Sequence, residues 1–149
     1  MVYLIMQYKH IVTGTFLKRP NRFIAHVMID GREEVCHVKN TGRLREFLVP
    51  GAELLVEFHP DAVALGRKTA FSVIGVYKEN AGCNHERLLI NMDSQAPNQA
   101  AAEWLNEGGL SLEVTEVKRE VTYHESRFDL AFKQGGCPSF MEVKGVTLE

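Results

Sequence analysis

The sequence predicts an α+β chain, a five-stranded β-barrel followed by one helix and a small, incomplete sheet. Three observations carry this. Residues 8–78 hold short alternating runs separated by turn signals, with no long helical periodicity. Pro97 and the alanines after it, closed by Gly108-Gly109, read as one helix. The two alternating runs around Gly135-Gly136 read as a hairpin.

Strands are expected near 8–18, 21–30, 32–38, 53–59 and 70–78, with turns at Arg19-Pro20-Asn21 and Asp30-Gly31. A small helical piece near 43–48 lies between the third and fourth. This is the element order of an OB-fold barrel, a class that commonly binds oligonucleotides through basic grooves and stacked aromatics. Tyr8, Phe16, Phe23 and Phe47 are candidates for stacking, with core filling as the competing role. The opening Met1–Met6 is too short for a signal peptide or a membrane span and reads as a lead-in to the first strand. The polar stretch Asn80–His85 is the expected junction, giving domains at 1–84 and 85–149. Cys83 and His85 form only a lone C-x-H pair there, which reads as linker. The second domain should hold a strand at Leu88–Asn91, a helix capped near Ser94 or Ala96, and strands near 113–122, 127–132 and 139–145.

Composition places the chain among globular proteins, with 45% hydrophobic and 24% charged residues in 149. Three widely spaced cysteines give neither a disulfide framework nor a zinc ribbon, which fits a reducing cytoplasm. Nothing points to a membrane. The net charge of -2 is unevenly spread: residues 1–45 carry eight Lys/Arg against three acids. That division suits a module that grips phosphates joined to one that places a cation, although eight cations also serve to solvate a β-rich domain.

The terminal hairpin carries the chemistry. Centred on Gly135-Gly136, it sets Asp129 opposite Glu142 and Arg127 opposite Lys144. Asp129, Glu142 and Lys144 then share one face, while Phe128, Leu130, Phe132, Met141 and Val143 form the apolar other. Opposed carboxylates repel, and a divalent cation between them removes that penalty. Asp on one strand with Glu-x-Lys on the next resembles the metal site of the PD-(D/E)xK nucleases. There Mg²⁺ or Mn²⁺ on Asp129 and Glu142, with Lys144 beside it, would support phosphodiester hydrolysis. Glu103, on the helix, is a candidate further carboxylate. The competing reading is a solvated face of alternating charge.

Asn40-Thr41-Gly42 has two readings of equal standing. One is a tight turn closed by side-chain capping. The other is close backbone approach to a phosphate, aided by Arg43 and Arg45. With Arg19 and Arg22 these residues form the candidate DNA contacts.

Several segments together resemble the bacterial and archaeal sugar fermentation stimulation protein family. They are Thr13–Phe23, Val38–Leu44, Leu48–Ala52, Asp93–Asn98, Ser126–Asp129 and Met141–Leu148. The resemblance implies an N-terminal OB-like domain, a C-terminal PD-(D/E)xK nuclease-like domain, and DNA as the partner. Family members run on past the Glu-Val-Lys strand, whereas this chain stops at Glu149, so the nuclease-like domain is expected to be truncated and its activity weak or absent. The family's helix glutamate aligns at or next to Ala102, with Glu103 its near match. The alternative function is a non-catalytic transcriptional regulator of carbon-source (maltose-type sugar) metabolism. A third reading is a homo-oligomer paired across the unfinished sheet.

Overall fold

The computed structural model describes residues 6–79, 87–110 and 113–146. Among these, Tyr8–Asp93 form one compact unit, and Met6–Gln7 with Ser94–Val146 form another.

The first unit is built from β1 (Ile11–Asn21), β2 (Ile24–Ile29), β3 (Arg32–Val38), β4 (Glu53–Phe58), β5 (Phe71–Glu79) and β6 (Arg87–Asn91). β1 pairs antiparallel with β2 and β4, β2 with β3, and β4 with β5. A parallel pairing of β3 with β5 closes the ring, giving the five-stranded OB-like barrel. Strand alternation sends Ala25, Val27, Ile29, Cys36, Val38, Leu54, Val56 and Val73 into one core. Gly14 permits the close approach of β1 to β2, since a Cβ there would stand 2.5 Å from Val27 Cγ1. Asp30 and Gly31, at φ 48° and 77°, make the two-residue turn with left-handed backbone at both centres.

Four expectations need correction. The first strand starts at Ile11 and runs through Arg19 and Pro20, and the turn falls at Arg22-Phe23 instead. The register of β1 on β2 slips on both sides of Lys18, and such an irregularity accommodates a proline that has no N–H for the ladder. Asn21 Oδ1 then closes the turn by accepting from the backbone N–H of Phe23 and Ile24 at 2.9 and 3.1 Å. The piece near 43–48 is a single turn, with Leu44 carbonyl accepting from Phe47 and Leu48. Leu44 itself sits at φ 52°, which bars a helix from starting there. The strand expected to open the second domain is β6, which pairs with the far half of β5 in the first sheet. The junction placed at Asn80–His85, with Cys83 and His85, lies outside the described residues, as do Met1–Ile5.

The second unit has one helix, α1 (Ala96–Asn106), and a meander of β7 (Val114–Tyr123), β8 (Ser126–Gln134) and β9 (Cys137–Met141). Gln95 is the N-cap of α1, Pro97 stands in its first turn, and Gly108 at φ 82° ends it. Ala102 and Leu105 on α1 pack with Leu130 and Phe132, joined by Val114, Val117, Met141 and Val143. Among the described residues no helix is long and apolar enough to cross a membrane.

Candidate metal centre and nucleic-acid interface

The hairpin forms in the expected register: Leu130 faces Met141, Ala131 faces Phe140, and Gln134 faces Cys137 across Gly135-Gly136. Both glycines have positive φ, 55° and 81°, which the two-residue turn requires. β9, however, ends at Met141, so Glu142-Val143-Lys144 is not the strand that the alternation predicts. The cause is Asp129. Its Oδ2 accepts the backbone N–H of Val143 at 2.8 Å in place of a ladder carbonyl, and its Oδ1 accepts from Asn98 Nδ2 at 3.0 Å. Phe128 also departs from the expected core face, being half-buried with its ring 4.6 Å from that of Phe140.

Glu142 is exposed and accepts a 2.6 Å charge-assisted bond from Lys144 Nζ. That bond, then the charge of Glu142 and more weakly that of Asp129, raises the Lys144 pKa above its ordinary value. Glu103 does not join them: its Oε2 accepts from the backbone N–H of Met6 at 2.9 Å and its Oε1 from Gln99 Nε2 at 3.1 Å. Among the described residues no three His, Cys, Asp or Glu side chains converge as a metal cage. What stands there is an oriented carboxylate with lone pairs to spare and, on the facing segment, the exposed Glu142–Lys144 pair. An all-oxygen donor set of one or two carboxylates suits Mg²⁺, which keeps most of its waters.

Two residues of this site escape reading by strand pattern alone. Asn98 holds Asp129, and Gly145 lies so close to Pro97 that a Cβ would stand 2.7 Å from its Cγ. The signal for Asn98 was the Asp93–Asn98 segment, legible as a helix start but silent about what its asparagine meets.

In the barrel unit, Arg19 has a different role from the one expected. Its Nη1 donates to the carbonyls of Gly42 and Arg43, both at 2.8 Å. Its Nη2 donates to those of Arg22 and Asn40, at 2.7 and 2.8 Å. Arg19 thus clamps the β1–β2 turn to the 40–43 loop and is not a free phosphate ligand; burial lowers its pKa from the usual arginine value. Asn40 Oδ1 accepts from Gly42 N at 2.9 Å, the capped-turn geometry, and buried Leu44 anchors the loop from below. The clamp leaves Arg22, Thr41, Arg43 and Arg45 exposed. Phe23 is 50% exposed, with the Arg22 guanidinium 5.4 Å from its ring centre. Phe16 and Phe47 are core residues, and the Tyr8 hydroxyl bonds Asp93 and Asn91, so Phe23 is the stacking candidate that stands free.

Comparison with known proteins accords with both halves. Residues 17–84 match the SfsA N-terminal OB domain, and residues 95–149 match the sugar fermentation stimulation protein RE domain. The sugar fermentation stimulation protein homolog of Alkaliphilus oremlandii is 52% identical over 97% of this chain and 60% of its own length. That of Desulfitobacterium hafniense strain Y51 is 50% identical over 97% and 58%. The chain belongs to the sugar fermentation stimulation protein family. It spans about three-fifths of the length of these relatives. Among solved structures of the family, Pyrococcus furiosus SfsA in complex with Ca2+ superposes with a TM-score of 0.73 and 29% identity, covering 92% of this chain and 55% of that one.

Proposed function

We propose that this chain binds DNA through the exposed face of its OB unit, with Arg22, Thr41, Arg43 and Arg45 on the phosphates and Phe23 against a base. The observation that carries this is the Arg19 clamp. Four hydrogen bonds to loop carbonyls fix a platform whose remaining cations make no ion pair among the described residues, and a preorganised cationic loop binds phosphate at little ordering cost. The OB assignment of residues 17–84 supports the same partner.

The second unit is proposed to hold a divalent cation at Asp129 and Glu142. A relative solved with Ca2+ supports an oxygen-ligated site, and the same donor set takes Mg²⁺ or Mn²⁺. Held by Asp129 and Glu142, such a cation would polarise a phosphoryl oxygen as a Lewis acid and acidify a water beside it. In this reading Asn98 and the Val143 N–H orient Asp129, and Lys144, held protonated, balances charge on the phosphate. The regulator reading has one observation in its favour: Glu142 is taken up by Lys144 and no third carboxylate converges.

The test joins both parts. Charge reversal of Arg22, Arg43 and Arg45 should weaken binding of a labelled oligonucleotide and flatten its salt dependence by about three units of slope. Nicking of supercoiled DNA with Mn²⁺ should be lost in Asp129→Ala and Lys144→Ala if the site is catalytic. Affinity unchanged by the triple variant sinks the platform, and the same nicking rate in wild type and both variants sinks the site.

A further inference from the structure

A second polar cluster lies on the outer wall of the same barrel. Register places His37 of β3 beside Ser72 of β5, and Ser72 beside Glu57 of β4. Ser72 is fully buried because the β4–β5 connection folds over it. From that connection Arg67 Nη2 donates to Ser72 Oγ at 3.1 Å, and His59 Nε2 lies 3.0 Å from the same oxygen. Ser72 Oγ thus accepts from Arg67 and shares a second hydrogen bond with His59 Nε2. Burial first, then the charges of Arg67 and Lys39, lowers the pKa of both His37 and His59. Glu57 and Asp93 act on them in the opposite sense.

The charges of this cluster are unequally matched. Lys39 meets Asp93 at 2.9 Å. Glu57 accepts the backbone N–H of Lys9 at 2.9 Å and stands 3.7 Å from His59. Among the described residues no carboxylate comes within ion-pair distance of Arg67, whose side chain makes the single bond to Ser72. A half-buried guanidinium with unfilled donors, sharing Ser72 with His59 and with His37 next to Ser72 in register, is an oxyanion seat. Beside it the connection presents Val63 and Leu65, 92% and 72% exposed. They are on an ordered turn: Ala62 is buried, Leu65 N–H bonds the carbonyl of Asp61, and Arg67 N–H that of Ala62. A free phosphate has no use for an apolar tip. A nucleic-acid strand does, since each of its phosphates is flanked by a base with an apolar face.

We propose that Arg67, with His59 and His37, binds a backbone phosphate of a nucleic-acid strand, and that Val63 and Leu65 contact the adjoining base. This rests on the DNA-binding reading but uses no residue of the Arg22–Arg45 platform.

The experiment measures anisotropy of a labelled oligothymidylate with the full chain across a salt series, and follows the imidazole signals of His37 and His59 by NMR. Arg67→Gln should lower affinity about tenfold and reduce the salt slope by about one, while Arg67→Lys retains most of the binding. Val63→Ser with Leu65→Ser lies on the surface, cannot disturb the core, and should weaken binding several-fold. Oligonucleotide should shift both imidazoles, and inorganic phosphate alone should do so only at far higher concentration. If inorganic phosphate shifts them and the oligonucleotide does not, the site serves a free anion and the proposal is overturned. If Arg67→Gln and the serine pair bind as wild type while the platform variant fails to bind, this inference alone falls. If the platform variant binds normally and Arg67→Gln does not, the platform falls and this site stands. Should Arg67→Gln unfold the barrel, the serine pair and the imidazole shifts decide the matter.

Discussion

Replacing Arg19 by alanine separates a structural clamp from a phosphate ligand. The substitution removes four hydrogen bonds to backbone carbonyls, three of them open to water and one half-buried. A bond to a charged donor contributes about 1.5–3 kcal/mol when protected from solvent and well under half of that when exposed. Arg19 Nε, buried with no partner among the described residues, offsets part of the gain. The balance is a loss of about 2–3 kcal/mol, which for a unit of this size lowers the melting temperature by roughly 10–20 °C. Hydrogen exchange at residues 40–44 should accelerate in step, because those carbonyls lose the group that orders them. DNA affinity should fall as well, yet the salt slope should stay close to wild type, since no phosphate contact of Arg19 is lost. The assay is thermal unfolding and exchange on free protein, with anisotropy against salt on the complex. A variant that melts like wild type and loses one unit of salt slope would refute the clamp and restore Arg19 as a phosphate ligand.

Other outcomes follow from single contacts. Gly145→Ala should destabilise the second unit by about 1 kcal/mol and weaken Mn²⁺ binding, because its Cβ meets Pro97 Cγ at 2.7 Å and the neighbouring Asn98 holds Asp129; calorimetry reads both. Lys144→Ala should raise Mn²⁺ affinity about two- to fivefold by freeing Glu142, while Asp129→Asn should abolish binding. Paramagnetic broadening of nearby amides reports the affinity. Cys137, exposed, should react with a thiol reagent at pH 8 within minutes; Cys36, whose burial pushes its thiol up to about 12, should react only in denaturant.

The strand order and the hairpin register were legible because both depend on local rules. Alternation fixes which face is buried, and Asp30-Gly31 and Gly135-Gly136 fix where the chain reverses. What pattern reading missed are long-range captures of backbone groups by side chains. Arg19 and Arg43 look alike in sequence; only the loop brought against the β1–β2 turn makes one a clamp and leaves the other exposed. Glu103 and Asp129 likewise differ in the donors that reach them, Met6 N–H and Gln99 in one case, Asn98 and Val143 N–H in the other. The turn at Arg22-Phe23 was misplaced because Pro20 is a strong turn signal that a strand irregularity can also absorb.

These captures bear on function because a charge that organises the backbone has fewer donors or lone pairs left for a ligand. Arg19 has committed four of its five N–H donors to carbonyls and buries the fifth, so its positive charge reaches DNA only through the loop it shapes. Asp129 is in the opposite position. Each of its oxygens accepts one hydrogen bond and retains a second lone pair, so the bonds from Asn98 and Val143 aim the carboxylate without exhausting it. Both units thus show one charged side chain held by or holding the main chain, with the ligand-facing charges set beside it: Arg22, Arg43 and Arg45 in the barrel, Glu142 and Lys144 in the sheet. Variants of the holding residues should therefore change rigidity and affinity together. Variants of the outward charges should change affinity or salt dependence alone, and a variant set that fails to divide in this way would show that the assignment of roles is wrong.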